Sequence, residues 1–97
     1  MRIRHTSAVD REILEAVAYY LSEESPQSAE LFDAEVQEAE HLIALQPELY
    51  PIAEAGIRYK RLEAFPFSVL YSIEEEEIVI VAVAHDKRKP GYWKKGI

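Results

Sequence analysis

The chain has no cysteine and only three glycines in 97 residues. Without cysteine it can form no disulfide and has no thiolate to serve as nucleophile or metal ligand, as is usual for cytosolic proteins. The glycines are too few and too scattered for a loop that cradles phosphate. The three histidines lie far apart and show no paired ligand spacing. We therefore expect no metal site and no cofactor.

Long apolar runs and a leader sequence are also missing. Residues 78–84 form an unbroken apolar run, but it has only seven residues, whereas a membrane-spanning helix needs ~20. The first five residues lead directly into a strand-like segment, without the charged and then apolar pattern of a signal peptide. These absences predict a soluble protein of the cytoplasm that does not contact a membrane.

Charge is present in excess and is unevenly distributed. The formal net charge is −7, which argues against non-specific binding to nucleic acid. Residues 1–57 hold three basic and twelve acidic residues, whereas residues 58–97 hold eight basic and six acidic ones. The length suits one domain spanning residues 1–97. Within it, we expect an acidic first half and a more basic second half.

Two helices are predicted in the first half. Ser7 is the expected N-cap of a helix that runs to residue 21 or 22, and Ser25 and Pro26 start a second helix that ends at residue 45 or 46. The predicted apolar stripes are Val9, Ile13, Ala16, Val17, Tyr20 and Leu21 in the first helix, and Ala29, Phe32, Val36, Ala39 and Ile43, widened by Leu42 and Leu45, in the second. On the opposite face of the second helix the acidic residues, together with His41, are expected to contact solvent.

Strands are predicted at the amino terminus and through the second half. Residues 1–6, 58–62, 67–73 and 78–84 read as strands, residues 47–57 as a loop, and residues 74–77 as an acidic hairpin turn. Because the last strand is apolar throughout, we expect it to be buried on both faces. The pattern predicts an α+β fold of order β-α-α-β-β-β, with a helical hairpin packed on a small antiparallel sheet.

Cations and aromatic residues cluster in the second half. The candidate target-binding or nucleic-acid-binding residues are Arg58, Lys60, Arg61, Tyr71, Lys87, Arg88, Tyr92 and Trp93. Arginine and lysine bind phosphate, aromatic rings stack on bases, and His85, with a reference pKa near ~6.5, can move a proton at neutral pH. We expect adjacent strands to bring Arg61, Tyr71 and His85 together at one sheet surface. Such a set would serve metal-free cleavage of RNA or a purely binding surface, whereas a solvated tail is the plain alternative.

Several segments resemble one protein family. They are AVDREILEAVAYY (8–20), SPQSAELF (25–32), RYKRL (58–62), FPFSVLY (65–71) and IVIVAVAHDKRKPGYW (78–93). These segments are similar to those of the ParE/RelE superfamily of bacterial type II toxins, in the branch called plasmid stabilisation proteins. The resemblance spans almost the whole chain and implies the RelE/ParE-like fold.

The resemblance also implies a function and partners. A toxin of this kind is held by a cognate antitoxin in a hetero-oligomer, and ParE-like members inhibit DNA gyrase, whereas RelE-like members cut mRNA on the ribosome. The H-x-x-R-x-P-x-x-W ending, from His85 to Trp93, resembles the ParE-like side and favours inhibition of cell growth through gyrase. The resemblance to RelE-like endoribonucleases would make Arg61 catalytic, together with either His85 or Tyr92. A non-toxic homologue that only binds antitoxin is a third alternative, and the acidic net charge departs from the basic character common in these toxins.

Overall fold

A computed structural model describes residues 1–96 of the chain, in which two helices cover one face of a five-stranded sheet. The elements are β1 (Arg2–His5), α1 (Ser7–Glu23), α2 (Pro26–Leu45), β2 (Ile52–Glu54), β3 (Ile57–Arg61), β4 (Phe67–Glu74), β5 (Glu77–His85) and a C-terminal 3₁₀ helix (Tyr92–Gly96). The predicted α+β class and helical hairpin are confirmed. None of the helices in this described part is long and apolar enough to span a membrane.

The two helices begin differently. The Ser25 hydroxyl accepts a hydrogen bond from the Ser28 amide at 3.0 Å, and Pro26 occupies the first position of α2, as predicted. In α1 the cap is Thr6 and not Ser7, and the Thr6 side chain makes no cap hydrogen bond. The reason is the short link to β1, because the Thr6 amide still bonds to the Ile80 carbonyl of β5 at 3.0 Å. Strand and helix are therefore separated by one residue.

The main core lies between the hairpin and the sheet. All five predicted core residues of α2 are buried, and the apolar stripe of α1 meets the sheet through Val9, Ala16 and Tyr20. Leu21 and Leu45 were predicted in these stripes, but they are 53% and 65% exposed. Each helical residue is rotated ~100° from the one before it, so Leu21 points away from the core that Tyr20 enters.

Two acidic residues of α2 are not simply solvated, contrary to the prediction. The Glu35 carboxylate accepts hydrogen bonds from the amides of Glu63 and Ala64, in the link between β3 and β4. Glu40 is bonded to the His5 ring of β1. Both carboxylates therefore tie α2 to the sheet: Glu35 satisfies two backbone amides of the β3–β4 link, and Glu40 binds a side chain of β1.

The sheet is mixed and not purely antiparallel, with strand order β1-β5-β4-β3-β2. β2 to β5 form an antiparallel meander, but β1 pairs in parallel with the outer edge of β5. The sequence predicted a loop where β2 lies. β2 and β3 are joined by a two-residue turn at Ala55 and Gly56, whose φ angles of 53° and 75° suit a tight hairpin. A positive φ at alanine is uncommon, so the sequence did not signal this turn.

A β-bulge in β5 decides which side chains reach each face. Leu70 of β4 pairs with Ala82, but the next residue, Tyr71, pairs with Ile80, so Val81 is an extra residue. Before the bulge, Ile80 faces the helices, and after it Val83 does. The predicted burial of β5 on both faces is confirmed. An insertion of one residue reverses the facing of every residue that follows it.

The face of the sheet away from the helices carries a second, smaller core. It consists of Ile57, Leu70, Val79, Val81, Ala82 and Trp93. Trp93 belongs to the 3₁₀ helix and is only 7% exposed, so the C-terminal segment lies across this open face. The basic residues around Trp93 are thereby held close to the end of β5.

Candidate functional site

Arg61 and His85 lie on opposite faces of the sheet. Arg61 shares the open face with Tyr59, whereas the His85 ring packs edge-on against Phe67 on the helix face, with ring centroids 5.0 Å apart. Tyr71 is also on the helix face, inside the core. The prediction that Arg61, Tyr71 and His85 meet at one surface is therefore wrong. The bulge in β5 is the cause, because without the extra residue strand alternation would have put His85 on the face of Arg61.

Arg61 is paired with a carboxylate of its own chain. Its guanidinium donates two parallel hydrogen bonds to Asp86, from Nη1 to Oδ1 at 2.6 Å and from Nη2 to Oδ2 at 2.7 Å. The hydrogen bond from Arg61 lowers the pKa of Asp86, and the same bond raises the pKa of Arg61. The fork geometry that suits phosphate is occupied by Asp86. Arg61 therefore presents little uncompensated charge to a nucleic acid.

His85 is oriented by the loop that follows it. The Lys87 amide donates a hydrogen bond to His85 Nδ1 at 3.0 Å. A ring nitrogen that accepts from an amide carries no proton, so the neutral ring has its proton on Nε2. The Asp86 amide, one residue on, donates to the Pro66 carbonyl at 2.8 Å. These bonds fix the turn that presents the basic residues.

Arg58, Lys60 and Tyr71 support the loop between α2 and β2. Arg58 Nη1 donates to the Tyr50 carbonyl at 2.6 Å, and Lys60 Nζ lies 5.1 Å from the centroid of the Tyr50 ring. The buried Tyr71 hydroxyl donates to the Pro47 carbonyl at 2.5 Å, and burial raises its pKa to about 12. The structure thus gives these three candidates contacts within the fold, and Tyr71 is inaccessible to a nucleic acid base.

Near the C-terminal end, the Arg88 side chain is held in place by Tyr92. Its guanidinium lies 3.7 Å from the centroid of the Tyr92 ring, and the Tyr92 hydroxyl donates to Glu12 of α1. Burial and the hydrogen bond to Glu12 raise the pKa of Tyr92. Lys87 and Arg88 are exposed, whereas Trp93 is part of the open-face core. Of the predicted residues in this segment, Arg88 therefore combines accessibility with a fixed orientation.

Glu12 is a residue that sequence reasoning missed. Its second oxygen accepts a hydrogen bond from the Val83 amide at 2.9 Å. Pairing of β1 with β5 ends at Ile80, so the edge of β5 beyond that point has no neighbouring strand. Glu12 occupies the place of that strand. A carboxylate between the core positions Val9 and Ala16 on one helical face was the signal that could have revealed it.

Three cations line a cleft beside Glu12. The cleft has a volume of about 500 Å³, lies between the start of α1 and the 3₁₀ helix, and is lined by Arg11, Arg88 and Lys95 among others. We call it the Arg88 cleft. A smaller cleft of about 240 Å³ lies on the open face and shares Arg88 and Trp93 with it. Among residues 1–96 there is no group of three His, Asp or Glu side chains that could hold a metal ion.

The architecture defines the class of protein. A helical hairpin on a mixed sheet is shared with a solved structure described as "Chromosomal ParDE TA system from P. aeruginosa", with a TM-score of 0.76 and 22% sequence identity over 88% of this chain and 95% of that chain. The model of the family described as "ParE toxin of type II toxin-antitoxin system, parDE" matches residues 3–90. The chain therefore belongs to the ParE toxin family. Comparison with curated proteins gave no match.

The family match confirms two predictions made from the sequence. The resemblance to the ParE/RelE superfamily and the ParE-like toxin of a type II toxin-antitoxin system are both confirmed. The family description places such a toxin in a two-protein system, which implies a cognate antitoxin as partner.

Proposed function

We propose that this protein inhibits cell growth by binding DNA gyrase, and that a cognate antitoxin neutralises it in a hetero-oligomer. Membership of the ParE family supports this proposal. The observation that carries it is that Arg61 projects from the open face and is engaged by Asp86, whereas the His85 ring packs against Phe67 on the helix face. General acid-base cleavage of RNA needs its proton-transfer group and its charge-stabilising group within reach of the same phosphate.

Inhibition of gyrase is tested with the purified protein in a DNA supercoiling assay. We expect inhibition of supercoiling, with relaxation by a type I topoisomerase as the control for general effects on DNA. After induced expression without antitoxin, growth should stop, and mapping of mRNA ends should show no new cleavage sites. A protein that is toxic in cells but leaves gyrase active would overturn the proposal. Harmless overexpression would instead indicate a non-toxic, antitoxin-binding homologue.

Two substitutions distinguish inhibition of gyrase from ribosome-dependent cleavage of mRNA. Arg61→Ala and His85→Ala remove the two residues that would be catalytic in a RelE-like enzyme. We expect both variants to remain toxic, because the two side chains lie on opposite faces of the sheet and cannot act together on one phosphate. New mRNA ends in the wild type that disappear in both variants would support the endoribonuclease, provided that both variants keep the circular dichroism spectrum of the wild type.

The antitoxin is expected to be encoded in a small reading frame beside the gene, with a DNA-binding N-terminus. Exposed leucines on the hairpin, including Leu14 and Leu31, and the outer edges of β1 and β2 offer surface for a helix or an added strand. Co-expression should restore growth and yield a complex of the two proteins. If growth arrest persists although the protein encoded by the neighbouring reading frame binds the toxin, that protein does not neutralise it.

A further inference from the structure

The Arg88 cleft contains three cations that form no ion pair within residues 1–96. Arg11 comes from the first turns of α1, Arg88 from the loop after β5, and Lys95 from the 3₁₀ helix. None of the ion pairs within residues 1–96 includes any of the three. Arg61, by comparison, is neutralised by Asp86. Three separate elements therefore direct positive charge at one space of about 500 Å³.

Arg88 is held in place before any ligand arrives. Its guanidinium stacks on Tyr92 at 3.7 Å, and Tyr92 is anchored through its hydroxyl to Glu12. Glu12 is itself fixed by the Val83 amide at 2.9 Å. Stacking on a ring leaves the in-plane N–H groups of a guanidinium available for a carboxylate or phosphate. Because the side chain is already ordered, binding loses less conformational entropy.

The walls of the cleft select between the possible anions. Ala8, Val81 and Trp93 provide apolar surface next to the cations, while Glu12 and the exposed Glu15 provide negative charge. A nucleic acid strand would bring a regular row of phosphates past Glu15 and towards a chain of net charge −7. A peptide can place one carboxylate among the cations and an apolar side chain on the apolar wall. The mixed lining therefore favours a peptide.

We propose that the Arg88 cleft binds a segment of a partner protein that carries one or two carboxylates beside an apolar side chain. Arg88 takes a carboxylate through two parallel hydrogen bonds, Arg11 and Lys95 add attraction from either side, and the apolar side chain packs on Val81 and Trp93. The inference rests on the proposed function, in which the protein acts by binding other proteins, and it names the chemistry of the segment bound at this cleft.

The test uses short synthetic peptides and isotope-labelled protein. The probe is the capped tetrapeptide Glu-Leu-Glu-Leu, and its matched control is the capped Gln-Leu-Gln-Leu, which has the same shape without charge. NMR titration should show the acidic peptide binding at least tenfold more tightly than its amide twin. Shifts should concentrate on the Arg88 side-chain N–H and on the amides of residues 92–95.

Two variants locate the binding. Arg88→Gln should weaken binding of the acidic peptide about tenfold, in keeping with the loss of a charge-assisted pair, and Arg11→Gln should weaken it less. Lys89→Gln makes the same change of charge one residue away, outside this cleft, and should leave affinity within about twofold. Each variant is first checked for the chemical-shift dispersion of the folded wild type.

Several results would overturn the inference. They are equal binding of the two peptides, no response to either peptide, an Arg88→Gln affinity equal to that of the wild type, and tighter binding of an eight-nucleotide RNA than of the acidic peptide. The peptide titration is independent of gyrase. A failed supercoiling assay together with selective peptide binding would therefore remove the proposed target and leave the cleft, whereas the reverse pattern would remove the cleft alone.

Discussion

At the scale of single residues, His5 links three elements through both of its ring nitrogens. Nδ1 lies 2.9 Å from Asp10 of α1, and Nε2 lies 2.9 Å from Glu40 of α2. Arg4, its neighbour in β1, is directed to Glu77 instead. Burial works to lower the pKa of His5, but the hydrogen bonds and charges of Asp10 and Glu40 outweigh it and raise the pKa above 6.5. Only the protonated ring can donate to both carboxylates.

His5→Gln should therefore reduce stability in a pH-dependent way. A raised pKa in the folded state stabilises fully below the unfolded value of ~6.5 and is lost as the pH rises through the folded value. We expect the variant to lose about 1–2 kcal/mol at pH 5.5, and the difference should shrink towards pH 9. Urea unfolding across this range measures it. The exposed His41→Gln is the control, and a deficit that stays constant or grows with pH would contradict the ion-pair account.

Individual side chains show how far sequence could identify the candidate site. The cations were found by residue type, and Arg88 does lie in an accessible cleft. Their partners could not be found, because Asp86 meets Arg61 across 25 positions and Glu12 meets Tyr92 across 80. Whether a charged residue is compensated depends on such long-range pairs. Residue type therefore identified the cations, but it did not show which of them lack a carboxylate partner in the fold.

At the scale of elements, helices were more predictable than strand facing. The α2 stripe and the Ser25 cap follow from local spacing and local hydrogen bonds, and both agree with the structure. The bulge at Val81 does not have a local signal, because β5 is apolar on both faces and an extra residue disturbs no visible alternation. The same lack of signal hid the facing of His85. The parallel pairing of β1 with β5 had no local signal in the sequence either.

The contact of α1 with the free edge of β5 gives a prediction for these elements. Glu12→Ala removes the acceptor of both the Val83 amide and the Tyr92 hydroxyl. Leaving these partly buried donors without partners costs about 1 kcal/mol or more locally. We expect the Val83 amide to exchange hydrogen roughly 10–100-fold faster, together with greater mobility of the 3₁₀ helix.

Glu15→Ala is the matched control for that experiment. Glu15 is one turn further along α1, is exposed, and makes no side-chain hydrogen bond within residues 1–96. Its removal should leave exchange at Val83 unchanged. Tyr92→Phe keeps the ring beneath Arg88 and removes only the hydroxyl, so it should loosen the 3₁₀ helix while Val83 remains protected. Equal exchange in the Glu12 and Glu15 variants would show that Glu12 does not hold the edge.

At the scale of the whole molecule, the acidic residues are concentrated on the helices and a group of cations is concentrated in the loop after β5. Acidic residues such as Glu30 and Glu38 are exposed on the helices, whereas Lys87, Arg88 and Lys89 extend from the end of β5. The two unequally charged halves of the sequence meet at the Arg88 cleft, which Arg11 and Glu15 of the first half share with Arg88 and Lys95 of the second. Net charge alone argues against non-specific binding of nucleic acid, but it does not show that three cations line one cleft of the folded chain.

The overall charge should nevertheless prevent tight binding of RNA. With a net charge of −7 and Arg61 held by Asp86, we expect a Kd weaker than ~100 µM for a 20-nucleotide single strand at physiological salt. Fluorescence anisotropy against salt concentration measures both affinity and its electrostatic part. Asp86→Asn releases Arg61 for one phosphate contact and should steepen the slope of log K against log salt by at most ~0.7. Submicromolar, strongly salt-dependent binding by the wild type would instead favour the endoribonuclease over the gyrase inhibitor.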